Sequence, residues 1–169
     1  RLDFGGGEPL LNFDVVREVS DYALRRAKDL GKQMSFYMVT NGVLIDDAFL
    51  EWARSRKVLL EFSMDGTPAD HNRYKAAYDP GLYPYKATRA GVERAQRAGA
   101  PHFVIMVTSP ANASRLAENF EHLFDIGVRH VDLSYAIGGV WSPEDEAVYF
   151  EQVSRVLTRH ARALDSGEI

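Results

Sequence analysis

Two hydrophobic patterns take turns along this chain. Short strand-like runs bounded by turn residues predict strands at Arg1–Phe4, Ser35–Thr40, Val58–Ser63, Phe103–Thr108 and Val131–Ala136. Between them, apolar positions three and four apart predict helices near Phe13–Leu30, Asp47–Arg56, Tyr85–Ala98, Ala113–Ile126 and Pro143–Leu164. Asn12, Asp46, Asn112 and Ser142 stand where N-caps belong, with Pro143 at a first helical position. Gly31, Gly99 and Gly127 stand where helices end. The link from Gly66 to Pro84 is longer, and reads either as a functional loop or as a surface excursion.

Strand–helix–strand repetition with short connections predicts an α/β fold with a parallel sheet and right-handed crossovers. In a doubly wound sheet both faces of a strand are covered and the strands are apolar throughout. Here, Leu60, Phe62 and Met64 share one face while Glu61, Ser63 and Asp65 share the other. Val131, Leu133 and Tyr135 oppose His130, Asp132 and Ser134, and Phe36 and Met38 oppose Ser35, Tyr37 and Asn41. One apolar face under helices and one polar face around a cavity favour a partial or full β/α barrel over an open sheet; the competing reading is strand-end polar groups satisfied locally.

Composition narrows the classes. The 169 residues are 46% hydrophobic and carry a net charge of −4, enough for a single domain spanning residues 1–169. No basic stripe suggests nucleic acid, and no apolar run nears the roughly 18 to 20 residues that cross a bilayer. A cytoplasmic protein is expected. The chain has no cysteine, so it offers neither a disulfide nor a thiolate, and its five histidines show no metal-ligand spacing.

The stretch FGGGEPLLN (Phe4–Asn12) carries the most chemistry. No lysine follows the glycines as a phosphate-binding P-loop requires, and Leu10 stands where a dinucleotide fingerprint needs its last glycine. Glycines admit a ligand close to the backbone, and Pro9 drives Glu8 towards an extended conformation. Exposed carbonyls beside a carboxylate are acceptors, and they suit a cationic donor such as an ammonium group. The alternative is a tight turn before a helix.

FGGGEPLLN resembles the GGEP motif of radical S-adenosylmethionine (AdoMet) enzymes. VTNG (Val39–Gly42), LEFSMDGTPADHNRY (Leu60–Tyr74) and the stretch from His102 to Leu133 are similar, in order, to the SPASM-type branch, which includes anaerobic sulfatase maturases and peptide-modifying enzymes. The resemblance implies a partial (β/α)6 barrel lacking its first βα unit. It implies that Gly6, Gly7, Glu8 and Pro9 bind the ammonium of AdoMet, with Thr40, Asn41, Ser63 and Asp65 nearby. Lys75 stands where family members place an arginine for the AdoMet carboxylate, with Arg73 two residues earlier, and Met106, Thr108 and Ile137 fall near the implied adenine pocket. The family's chemistry also implies a [4Fe–4S] cluster, an external electron donor and a peptide or protein substrate.

The cluster motif, C-x-x-x-C-x-x-C, is missing, as is the cysteine-rich region of the SPASM branch. The chain therefore reads as a segment of a longer enzyme or as a clusterless relative serving as a binding or scaffold module. A further reading is a β/α-barrel lyase or hydrolase using Glu61, Asp65 and Asp132. Which residues are catalytic, and which substrate is used, do not follow from the residues.

Overall fold

The computed structural model describes residues 1–75 and 83–167. Its strands are β1 (Leu2–Phe4), β2 (Phe36–Thr40), β3 (Leu59–Ser63), β4 (His102–Thr108) and β5 (Val131–Tyr135). They form a five-stranded sheet in sequence order, with β1–β2, β2–β3 and β4–β5 all paired parallel. The helices are α1 (Phe13–Asp29), α2 (Asp47–Ser55), α3 (Pro68–Tyr74), α4 (Pro84–Ala98), α5 (Leu116–Asp125) and α6 (Pro143–Ser166). The chain divides into two compact units, Arg1–Ser63 with Asp79–Phe103 and Met64–Tyr78 with Val104–Ile169.

In the first unit the predicted alternation appears as graded burial. Phe36, Met38 and Thr40 of β2 are buried while Tyr37 and Val39 between them are half-buried. Leu60 and Phe62 of β3 are fully buried, each contributing about 1.5–3 kcal/mol of apolar transfer. The other face is not simply wet, because Glu61 is also buried and accepts a hydrogen bond from the Tyr37 hydroxyl. An inward carboxylate so placed is satisfied by a neighbouring strand. Phe13 of α1 packs edge-on against Phe49 and Trp52 of α2. Asp46 caps α2 as expected, its carboxylate accepting the Phe49 N–H at 2.7 Å. Asn12 does not cap α1; a 3₁₀ turn over Pro9–Asn12 runs directly into the helix and occupies the cap position.

The second unit departs further from expectation. A helix, α3, occupies part of the Gly66–Pro84 link, started by Pro68 in the first turn and favoured by Asp70 near its N-terminus; residues 76–82 of that link lie outside the described residues. Asn112 does not cap α5, because its Oδ1 accepts from the Ser109 backbone and hydroxyl and a 3₁₀ turn intervenes. Ser142 does cap α6, in a reciprocal box with Asp145. On β5 the expected apolar face is only half covered: Val131 and Leu133 are half-buried and Tyr135 is 56% exposed. β5 ends the strand order, so it has a neighbour on one side alone.

Gly91 lies in α4 where its backbone meets the turn after β2. A Cβ there would stand 2.2 Å from the Gly42 carbonyl oxygen, and Gly42 itself has φ +78° with the Phe62 ring 3.0 Å from a would-be Cβ. In an exposed helix Gly→Ala gains about 1 kcal/mol. At this contact Gly91→Ala is expected to destabilise by roughly 1–3 kcal/mol instead, since backbone cannot move aside as a side chain can. Chemical denaturation of the two proteins reads the sign directly.

Candidate functional site

In the first unit the GGGEP segment follows β1. Gly6 takes φ +103°, and neither Gly6 nor Gly7 has any atom within 4 Å of a would-be Cβ, so the backbone there faces open space. Glu8 is extended, at φ −95° and ψ 109°, as the following proline requires. Its carboxylate turns towards the end of β2. Oε1 accepts from the Thr40 hydroxyl at 2.9 Å and the Leu10 N–H at 3.2 Å, and Oε2 accepts the Asn41 N–H at 2.7 Å. The structure thus brings Glu8, Thr40 and Asn41 together from sequence positions more than thirty residues apart.

The turn holding these donors is itself fixed. Thr40 Oγ1 also accepts the Gly42 N–H at 3.0 Å, Asn41 Oδ1 accepts the Val43 N–H at 2.9 Å, and the Thr88 hydroxyl of α4 donates to the Asn41 carbonyl at 2.7 Å. A carboxylate accepts about four hydrogen bonds, and Glu8 has used three. One acceptor position is left beside the open glycine backbone. A depression of about 470 Å³ adjoins this segment, lined by Gly5, Gly7, Glu8 and Pro9 along with Phe4 and Val16. Thr40 is buried and acts through Glu8, whereas Asn41 is exposed. Ser63, the last residue of β3, is half-buried.

The second unit contains Asp65 and Lys75. Asp65 is 4% exposed; its Oδ1 accepts the Val107 N–H at 3.1 Å and its Oδ2 lies 3.4 Å from Lys75 Nζ. Lys75 is thus committed to an internal ion pair. The Asp65 N–H donates to His71 Nδ1 at 3.2 Å, which leaves the proton of the neutral imidazole on Nε2. Next to this, Asp70 is fully buried and receives the guanidinium of Arg115 through two N–H groups and the Asn119 amide at 2.7 Å. The same amide's oxygen accepts the Thr67 N–H at 2.9 Å. Asn119 fills the space where a Cβ of Gly66 would lie, within 2.3 Å, and Gly66 has φ +101°. The block DGTPADH is therefore a folded unit closed by Arg115 and Asn119, residues for which the sequence offered only helical spacing. Met106 and Thr108 are buried, while Ile137 is 89% exposed.

Among the described residues no group of histidine and carboxylate side chains has metal-binding geometry, and no helix is long and apolar enough to cross a membrane.

The family model for the Radical SAM superfamily matches residues 1–123, and the chain belongs to that superfamily. An uncharacterized protein of Methanocaldococcus jannaschii is 25% identical over 131 residues, which are 78% of this chain and 44% of that protein. Native anSMEcpe with bound AdoMet shares the fold at TM-score 0.84 and 17% identity, over 98% of this chain and 47% of that one. Native anSMEcpe with bound AdoMet and Kp18Cys peptide gives TM-score 0.78 and 18% identity, over 88% and 43%. The chain spans less than half the length of each of these. Its α/β fold is that of a partial radical SAM barrel core.

His71 generates a pH dependence. Burial pushes its pKa down to about 4 from 6.5; the Asp65 carboxylate opposes this and the Lys75 ammonium adds to it. Both folded and unfolded imidazoles are neutral at pH 7, but between about pH 6.5 and 4 only the unfolded one takes up a proton. Stability should therefore fall as pH drops through that window, by an amount approaching about 3 kcal/mol at its acid end. The Arg115 pair holds Asp70 below the usual carboxylate range, so its contribution is lost only at still lower pH. Unfolding curves from pH 7 to 4 should be steeper in pH for the wild type than for His71→Gln. Equal slopes would place His71's titration elsewhere.

Proposed function

We propose that this chain is the AdoMet-holding part of a radical SAM enzyme that modifies a peptide or protein. The observation that carries the reading is the Glu8 carboxylate, pinned by Thr40, Asn41 and Leu10 with its charge left beside the open Gly6–Gly7 backbone. This arrangement suits an ammonium group, which needs several acceptors and a compensating charge. Thr40 and Asn41 are positioning residues that keep Glu8 in place before any ligand arrives. Ser63, with Pro9 shaping the loop, completes the proposed AdoMet environment in the first unit; in the second unit Lys75 is paired with Asp65.

When bound and reduced by one electron, AdoMet supplies a carbon radical for hydrogen abstraction. The iron–sulfur cluster that delivers such an electron is held by thiolates, and these 169 residues contain none. The residues present do not fit a cluster, and we place its ligands, and the site for an external electron donor, outside them. The Kp18Cys peptide bound to a fold relative supports a peptide as substrate. The lyase or hydrolase reading is weaker, because Glu61 is engaged by Tyr37 and Asp65 by Val107 and Lys75, while Asp132, the third carboxylate it needs, stands exposed on β5. A clusterless binding module would keep the same ammonium site without turnover.

Glu8→Gln should weaken AdoMet binding to the whole protein about 10- to 100-fold, the value of a charge-assisted hydrogen bond. Ser63→Ala should cost only about 2- to 10-fold. Equilibrium dialysis with labelled AdoMet measures both. Unchanged affinity in both variants would remove the site from this loop.

A further inference from the structure

In the second unit, the segment after β5 builds a second, differently shaped site. Tyr135 ends β5, Trp141 precedes the cap of α6, and Tyr149 and Phe150 lie in the helix. The rings meet edge to face: Tyr135 and Trp141 at 6.5 Å and 81°, Trp141 and Tyr149 at 5.6 Å and 77°, Tyr149 and Phe150 at 5.5 Å and 77°. The indole is held in place by donation to the Ala136 carbonyl at 3.3 Å. Together with Glu146 these side chains line a cavity of about 340 Å³.

The chemistry of the lining is uneven in an informative way. Tyr135 is 56% and Phe150 66% exposed, a large aromatic surface to leave in water. Of the acidic residues at the start of α6, Asp145 is consumed by the capping box, accepting from the Ser142 N–H and hydroxyl. Glu146 is exposed, and no side-chain hydrogen bond or ion pair among the described residues engages its carboxylate. A purely apolar occupant would strip water from that charge without replacing it, and an anion would be repelled. A cation resting on aromatic faces, with a carboxylate in the wall, satisfies both halves of the site.

We propose that Tyr135, Trp141, Tyr149 and Phe150, with Glu146, form a pocket for the cationic side chain of a peptide, a lysine or an arginine. The neighbouring Ile137 and Val140, 89% and 93% exposed, give an apolar bed for the residues flanking it. This names a recognition element for the peptide substrate and rests on the peptide-modifying reading for the source of the cation. It needs no AdoMet and no turnover, so its failure would leave the AdoMet site standing.

The test is isothermal titration of the whole protein with acetyl-Ala-Lys-Ala-amide and with the norleucine peptide of the same shape, without AdoMet. The lysine peptide should bind at least about fivefold more tightly, the combined effect of ring faces and one carboxylate. Glu146→Gln, a surface change that leaves the capping box intact, and Trp141→Leu should each reduce that preference. Equal affinity for the two peptides would make the rings an apolar docking face and overturn the proposal. So would a lysine preference that survives both substitutions, or no binding of either peptide at millimolar concentration.

Discussion

The Glu8 carboxylate reaching across to the end of β2 is the constraint on which the first unit's loops depend. A carboxylate that close to the sheet is stable only with donors in place, and Thr40, Asn41 and Leu10 provide them. Two loops distant in sequence are thereby tied into one surface. The Gly42–Gly91 contact extends the same logic, because α4 can seat against the β2 turn only where both residues lack a Cβ. Beside these supports Gly6 and Gly7 face open space. Order in the supports and space at the site are properties of a preorganised binding loop.

The second unit solves a different problem by similar means. The chain after β3 must turn sharply into α3, and Gly66 does so beneath the Asn119 amide. Burying Asp70 there costs free energy unless its carboxylate is paired, and two N–H groups of Arg115 and the Asn119 amide meet it. His71 is kept neutral in the same surroundings and accepts the Asp65 N–H. Asp65 is thus doubly committed, through its backbone to His71 and through its side chain to Val107 and Lys75. A group so constrained can orient a neighbour with precision but is poorly suited to exchanging protons.

Much of this was legible in the chain. Short strand-like runs between helical patterns located the five strands, and on three of them apolar–polar alternation marked the two faces. Pro9 foretold the extended Glu8, and Ser142 and Asp46 announced their caps through local chemistry that operates without tertiary help. What was not legible depends on partners far away in sequence. Asn12 and Asn112 have cap-like side chains, but 3₁₀ turns took the positions. Tyr135 fits an apolar strand face by period, yet β5 has too few neighbours to cover it. The glycines and carboxylate of GGGEP suggested a cation site. That three protein donors would hold the carboxylate first, leaving one acceptor and the charge, required Thr40 and Asn41 to be seen beside it.

The central claim is that this loop recognises an ammonium group, and one comparison tests it most directly. The whole protein would be titrated with AdoMet and with its analogue lacking the α-amino group, all else equal. If Glu8 and the glycine carbonyls hold the ammonium, the analogue should bind at least about tenfold more weakly, since it forfeits charge-assisted hydrogen bonds and leaves the carboxylate facing a hydrogen atom. Equal affinities would mean that the loop does not read the amino group, and the pinned Glu8 would be only the brace between two turns.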